Sequence, residues 1–75
     1  MDILRYIDFQ DEDGWTALMF ASRNGDLDTV LQLIQNGADV NIQDDEGWTA
    51  LMYVSMGGNR YIVSDLIQNG ADVNI

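Results

Sequence analysis

Between residues 27 and 34 the apolar side chains fall at Leu27, Val30, Leu31 and Ile34. That i, i+3, i+4, i+7 spacing puts them on one stripe of an α-helix. Leu33 widens the stripe toward a neighbour. Asp26 is placed to cap the start of this helix, and Gly37 to close it, because a residue without Cβ takes the left-handed conformation just past a helix end. A shorter helix is predicted before it, from a Thr16 N-cap to about Asn24, with Gly25 as its terminator. Its small residues Ala17, Ala21 and Ser22 admit another helix at close range. Asp11-Glu12-Asp13-Gly14 reads as a polar turn whose acids lie near the positive end of the first helix dipole, and Ala38 to Gln43 as a loop leading onward. Helices this short are marginal in water and depend on packing against each other and against a neighbouring unit.

The same pattern returns at an offset of 33 residues. Aligned without a gap, residues 11 to 42 and 44 to 75 agree at 20 of 32 positions, including Gly14 to Met19 with Gly47 to Met52 and Leu33 to Ile42 with Leu66 to Ile75. A fixed period of this size marks a supersecondary unit stacked on its copies. The second copy departs from the first at Val54 for Ala21, Ser64 for Leu31, and Met56-Gly57-Gly58 for Arg23-Asn24-Gly25. Two adjacent glycines raise the entropy cost of ordering that turn, and Gly58 is expected to end the helix.

The spaced residues D-x-x-G-x-T-x-L-x-x-A, a later Gly, and V-x-x-L-I-x-x-G-A-D-V-N resemble the ankyrin repeat over residues 11 to 75. The resemblance implies an all-α solenoid of stacked helix-turn-helix units with hairpin-like β-turn loops. It divides the chain into an N-terminal partial repeat or cap at 1–10, a first repeat at 11–43 and a second at 44–75. The usual signature carries Pro and His where this chain has Ala17 with Met19 and Ala50 with Met52. Ala tolerates a helix start, but loss of the His shifts stacking toward apolar contact.

At the N-terminus Ile7-Asp8-Phe9-Gln10 keeps the register of Val40-Asn41-Ile42-Gln43, and Ile3, Leu4 and Ile7 are expected to form one covering helical turn. The last copy stops at Ile75 without a polar capping helix. Because stacked repeats usually need about three units, self-association by head-to-tail stacking or unit exchange is expected, unless the chain is a piece of a longer array or an engineered minimal unit.

Composition narrows the chemistry. The absence of Cys and His removes the usual zinc ligands, a Cys nucleophile and a Ser-His-Asp arrangement. Three Arg against thirteen acids give a net charge of −10, with no Lys, so nucleic acid is not an expected ligand. A basic protein surface is the electrostatic complement. The acidic start, broken by Arg5, does not resemble a signal peptide, and no apolar run reaches the roughly 20 residues of a membrane span, so the cytoplasm is the expected location without membrane partners.

The acidic turns do not match a calcium loop, since Phe9 stands where the first ligand belongs. They read as solvated turns, with nothing to desolvate their carboxylates or move their pKa values, and Gly57-Gly58-Asn59 lacks the Lys of a phosphate loop. No catalysis and no cofactor are expected. The resemblance implies partner contacts on the turns and at the end of the first helix. Carried over position by position, these are Glu12, Asp13, Trp15, Arg23 and Asn24, with Asp45, Glu46, Trp48 and Met56. Trp15 and Trp48 stand out, because an indole on an exposed turn either binds a partner or packs on the neighbouring turn. Asn41 and Asn74 occupy a context resembling that of asparagine hydroxylation, although such an Asn ordinarily satisfies backbone groups in its own loop. The reading is a non-catalytic protein-protein interaction module. The alternatives are a self-assembling repeat unit and, more distantly, an acidic mimic of nucleic acid.

Overall fold

The computed structural model describes residues 6–57 and 59–74. The turn expected through Ile3 and Leu4 and the helix end expected at Gly58 lie outside the described residues. Four helices follow in order: α1 (Ala17–Arg23), α2 (Leu27–Gln35), α3 (Ala50–Gly57) and α4 (Arg60–Gln68). No strand occurs among the described residues. Each copy supplies an antiparallel pair, with α1 lying against α3 and α2 against α4.

Local signals set the helix ends. The Thr16 hydroxyl accepts from the Met19 amide at 3.2 Å, starting α1, and Gly25 at φ 72° ends it after Asn24. Asp26 caps α2 by accepting from the amide and hydroxyl of Thr29 at 3.2 and 2.7 Å. Asn59 does the same for α4, accepting from the Tyr61 and Ile62 amides. The equivalence of Thr49 with Thr16 stops short of the cap: the Thr49 hydroxyl is buried and finds no partner among the described residues.

The core joins both copies: Leu18, Met19, Ala21, Val30 and Val40 from the first meet Ala50, Val54, Ile62 and Leu66 from the second. Leu27, Leu31, Leu33 and Ile34 are all part-buried, but only Leu27, Leu33 and Ile34 pack against this core, so Leu31 contributes less than its place in the stripe predicts. Matched positions differ according to which side of the unit a neighbour covers. Ile62 and Leu66 are sealed against the first copy, while their counterparts Thr29 and Leu33 border an open hollow of about 270 Å³ with Tyr6, Ile7 and Ala17. In the other direction Val40 is 6% exposed and its counterpart Val73 is 64% exposed. The expected close helix approach at Ala17 is therefore corrected. Ala17 is exposed, and its equivalent Ala50 is the alanine buried against the neighbouring copy.

Polar clasps complete the stack. Asn41 accepts from the Asp72 amide at 2.7 Å and donates to the Gly70 carbonyl at 2.9 Å. One unit earlier, Asp8 accepts from the Asp39 amide at 2.9 Å, which is the same bond in the same register.

Candidate functional site

The two acidic turns are built alike and end differently. Asp11 Oδ1 accepts from the Asp13 and Trp15 amides at 3.0 and 2.9 Å, and Asp44 Oδ1 accepts from the Glu46 and Trp48 amides, both at 2.9 Å. This side chain closes each turn and fixes the backbone of the Trp that follows it. The turns also join each other, since the Asp45 amide donates to the Asp13 carbonyl at 3.0 Å. Gly14 makes the approach feasible: it stands at φ 85°, and a Cβ there would lie 2.8 Å from the Asp45 amide nitrogen.

The second turn gains a third donor. The Tyr53 hydroxyl donates to Asp44 Oδ2, whereas Phe20 occupies the matching position in the first copy and has no hydroxyl. This overturns the expectation that the turn carboxylates are uniformly solvated. Asp44 is 7% exposed. Burial raises its pKa, but hydrogen bonds from Tyr53, Trp48 and Glu46 outweigh that, and the carboxyl sits below its ordinary value. Tyr53 is pushed up to about 12 by burial first, then by its bond to Asp44 and the negative charge of Asp44 and Glu46, against a smaller opposing effect of Arg23.

The indoles are part-buried members of a continuous stack. Trp15 lies 4.7 Å from Phe20 and 4.2 Å from Tyr53 between ring centroids, and Trp48 lies 5.1 Å from Tyr53. Such tilted pairs each contribute about 0.5–1.5 kcal/mol beyond area burial. Trp15 also borders a hollow of about 420 Å³ together with Arg23, Tyr53, Met56 and Gly57. The Arg23 guanidinium carbon stands 5.6 Å from the centroid of the Trp15 ring, and Met56 is 73% exposed.

The structure thus gathers three of the residues singled out in the sequence, Trp15, Arg23 and Met56, around one hollow. Glu12, Asp13, Asp45 and Glu46 lie exposed on the turn tips. Trp48 belongs to the stack without lining the hollow, and Asn24 is the exposed C-cap of α1. Asn41 is engaged at both ends of its amide by the next unit, while Asn74 is exposed. Tyr53 and Gly57 were missed. Both stand where the copies diverge, Tyr53 for Phe20 and Gly57 for Asn24, but divergence alone does not single out a site residue.

A family model described as ankyrin repeats (3 copies) matches residues 3–75. The chain belongs to the ankyrin repeat family. Comparison with curated proteins gives no match. The match reaches ahead of the first 33-residue copy, where Asp8 bonds the Asp39 amide in the register in which Asn41 bonds the Asp72 amide. Ankyrin repeats generally serve as protein-protein interaction modules. No helix among the described residues is long and apolar enough to cross a membrane.

Proposed function

We propose that this chain is a non-catalytic protein-binding module whose partner seats on the hollow lined by Trp15, Arg23, Tyr53, Met56 and Gly57 and reaches onto the acidic turns. The observation that carries this reading is the convergence of both copies on one aromatic-walled hollow, with an exposed Met at its edge. Aromatic and Met side chains supply contact area without a dedicated polar partner. The exposed Glu12, Asp13, Asp45 and Glu46, in a chain of net charge −10, steer a basic partner toward the turns.

The test is selection of peptides from an unbiased display library, followed by titration into isotopically labelled protein. Amide shifts should gather at Trp15, Arg23, Tyr53, Met56 and Gly57, and the exposed-site variant M56E should weaken binding at least tenfold. Shifts gathered instead on the outer surface of α2 and α4, with M56E binding as well as the parent, would overturn the proposal.

Self-association is the second reading. It is favoured by the open hollow beside Leu33 and Ile7 and by the exposure of Ile67 and Val73 on the opposite side of the stack. Simple head-to-tail addition would need the Asp39 amide for the Asn74 side chain of another copy, and Asp8 already holds that amide. Exchange of the segment carrying Asp8 is therefore the favoured route, and sedimentation showing a folded monomer at every concentration would refute it.

A further inference from the structure

The hollow contains one feature that an acidic, apolar-walled surface does not require. In a chain with thirteen carboxylates, none among the described residues comes within ion-pair distance of Arg23, whose guanidinium instead stands over the Trp15 ring. Arg23 is exposed, and among the described residues its guanidinium N–H donors make no hydrogen bond, so they are free to receive an acceptor from a partner. The other walls offer little competition for them. The Tyr53 hydroxyl is engaged by Asp44, so Tyr53 presents its ring, and Met56 presents a thioether. Gly57 adds no side chain: a Cβ there would reach to 3.7 Å from the Arg23 carbonyl, so its absence keeps that wall low.

Resting on the reading of this hollow as the docking site, we propose that it takes a peptide segment bearing a large apolar side chain beside a carboxylate, with the carboxylate paired to Arg23. The apolar side chain lies among Trp15, Tyr53 and Met56, and the carboxylate receives the guanidinium fork in the planar, two-bond geometry that favours Arg. The remaining positions of the segment are neutral or basic, because the field of the surrounding acids repels a uniformly acidic chain. Charge complementarity is thus local and of both signs: one acid toward Arg23, and bases toward the turns.

The probes are capped, fluorescein-labelled octapeptides with Lys at both ends, a central Leu, Met, Phe or Trp, and Glu, Gln or Lys at each adjacent position. Fluorescence anisotropy measures binding to the intact chain. The best Glu peptide should bind about tenfold more tightly than its Gln counterpart, and the Lys counterpart should bind least well. R23Q should reduce the Glu-to-Gln ratio to about one, R23K should leave an intermediate ratio, and R60Q should leave the ratio unchanged; circular dichroism checks that each variant is folded. Equal binding of Glu and Gln peptides, or a preference that survives in folded R23Q, would overturn the carboxylate assignment. If those peptides still shift the amides of the hollow and lose affinity in M56E, the module reading stands without it. An array with no peptide binding below millimolar concentration would also overturn the assignment, while the library selection separately tests the hollow as a docking site.

Discussion

Replacing Tyr53 with Phe isolates the third hydrogen bond to the Asp44 carboxylate, which Asp11 in the first turn lacks. The substitution keeps the ring that stacks between Trp15 and Trp48, at 4.2 and 5.1 Å, and removes only the hydroxyl that donates to Asp44. Asp44 then keeps its two amide donors, as Asp11 does naturally opposite Phe20, but Asp44 is buried and Asp11 is exposed. A hydrogen bond to a charged group contributes about 1.5–3 kcal/mol, so Y53F should cost about 2 kcal/mol near neutral pH. For a domain of this size that corresponds to a fall of roughly 8–16 °C in Tm. The sign of the pH dependence is fixed by the phenol, whose folded pKa is raised to about 12 from 10.0. Its contribution is present in full below pH 10 and is lost as the pH rises through about 12. Urea unfolding of parent and variant from pH 7 to 12 should therefore show a gap that is constant to about pH 9 and closes at higher pH. A Y53F cost below about 0.5 kcal/mol, or a gap that persists through pH 12, would refute the reasoning.

Three further outcomes follow from matched positions in the two copies. Gly14 and Gly47 both take positive φ, but only at Gly14 would a Cβ meet the next turn, so G47A should cost about 1 kcal/mol and G14A at least about 1 kcal/mol more in the same urea assay. Leu66 is fully buried and Leu33 borders an open hollow, so L66A should cost about 2–5 kcal/mol and L33A clearly less, a difference that thermal unfolding resolves. The folded Asp44 carboxyl lies below its ordinary value of 3.8, so its contribution is present above that pH and lost as the pH falls through its lower folded value. Acid titration of stability should show a smaller loss in Y53F, which has already forfeited one of the three donors.

Part of the candidate site was legible before any packing was known. Trp15, Arg23 and Met56 stand at the repeat positions that the family resemblance assigns to contact surfaces, and Arg23 and Met56 are one repeat position occupied by different chemistry. Tyr53 was not legible, because its importance comes from lying between two indoles that are 33 residues apart and from a hydroxyl that reaches Asp44 nine residues away. The same bond explains why Asp44 escaped a reading of the turns as solvated. Nothing local separates it from Asp11.

The sequence by itself determined the elements and their repetition: Thr16 and Asp26 cap helices through hydroxyl and carboxylate oxygens within three residues, and Gly25 and Gly37 end them through backbone freedom available only locally. These are short-range effects, and the period of 33 residues carries the elements over even where a cap changes, as at Asn59 for Asp26 and at Thr49, whose hydroxyl makes no cap. Only the tertiary structure decided which of two identical side chains would be buried, as Val40 and Val73, Leu33 and Leu66, and Ala17 and Ala50 show. The physical reason is that burial in a stack belongs to the interface between units. A residue is removed from water by the neighbour on its own side, and the local sequence cannot state which side that neighbour covers.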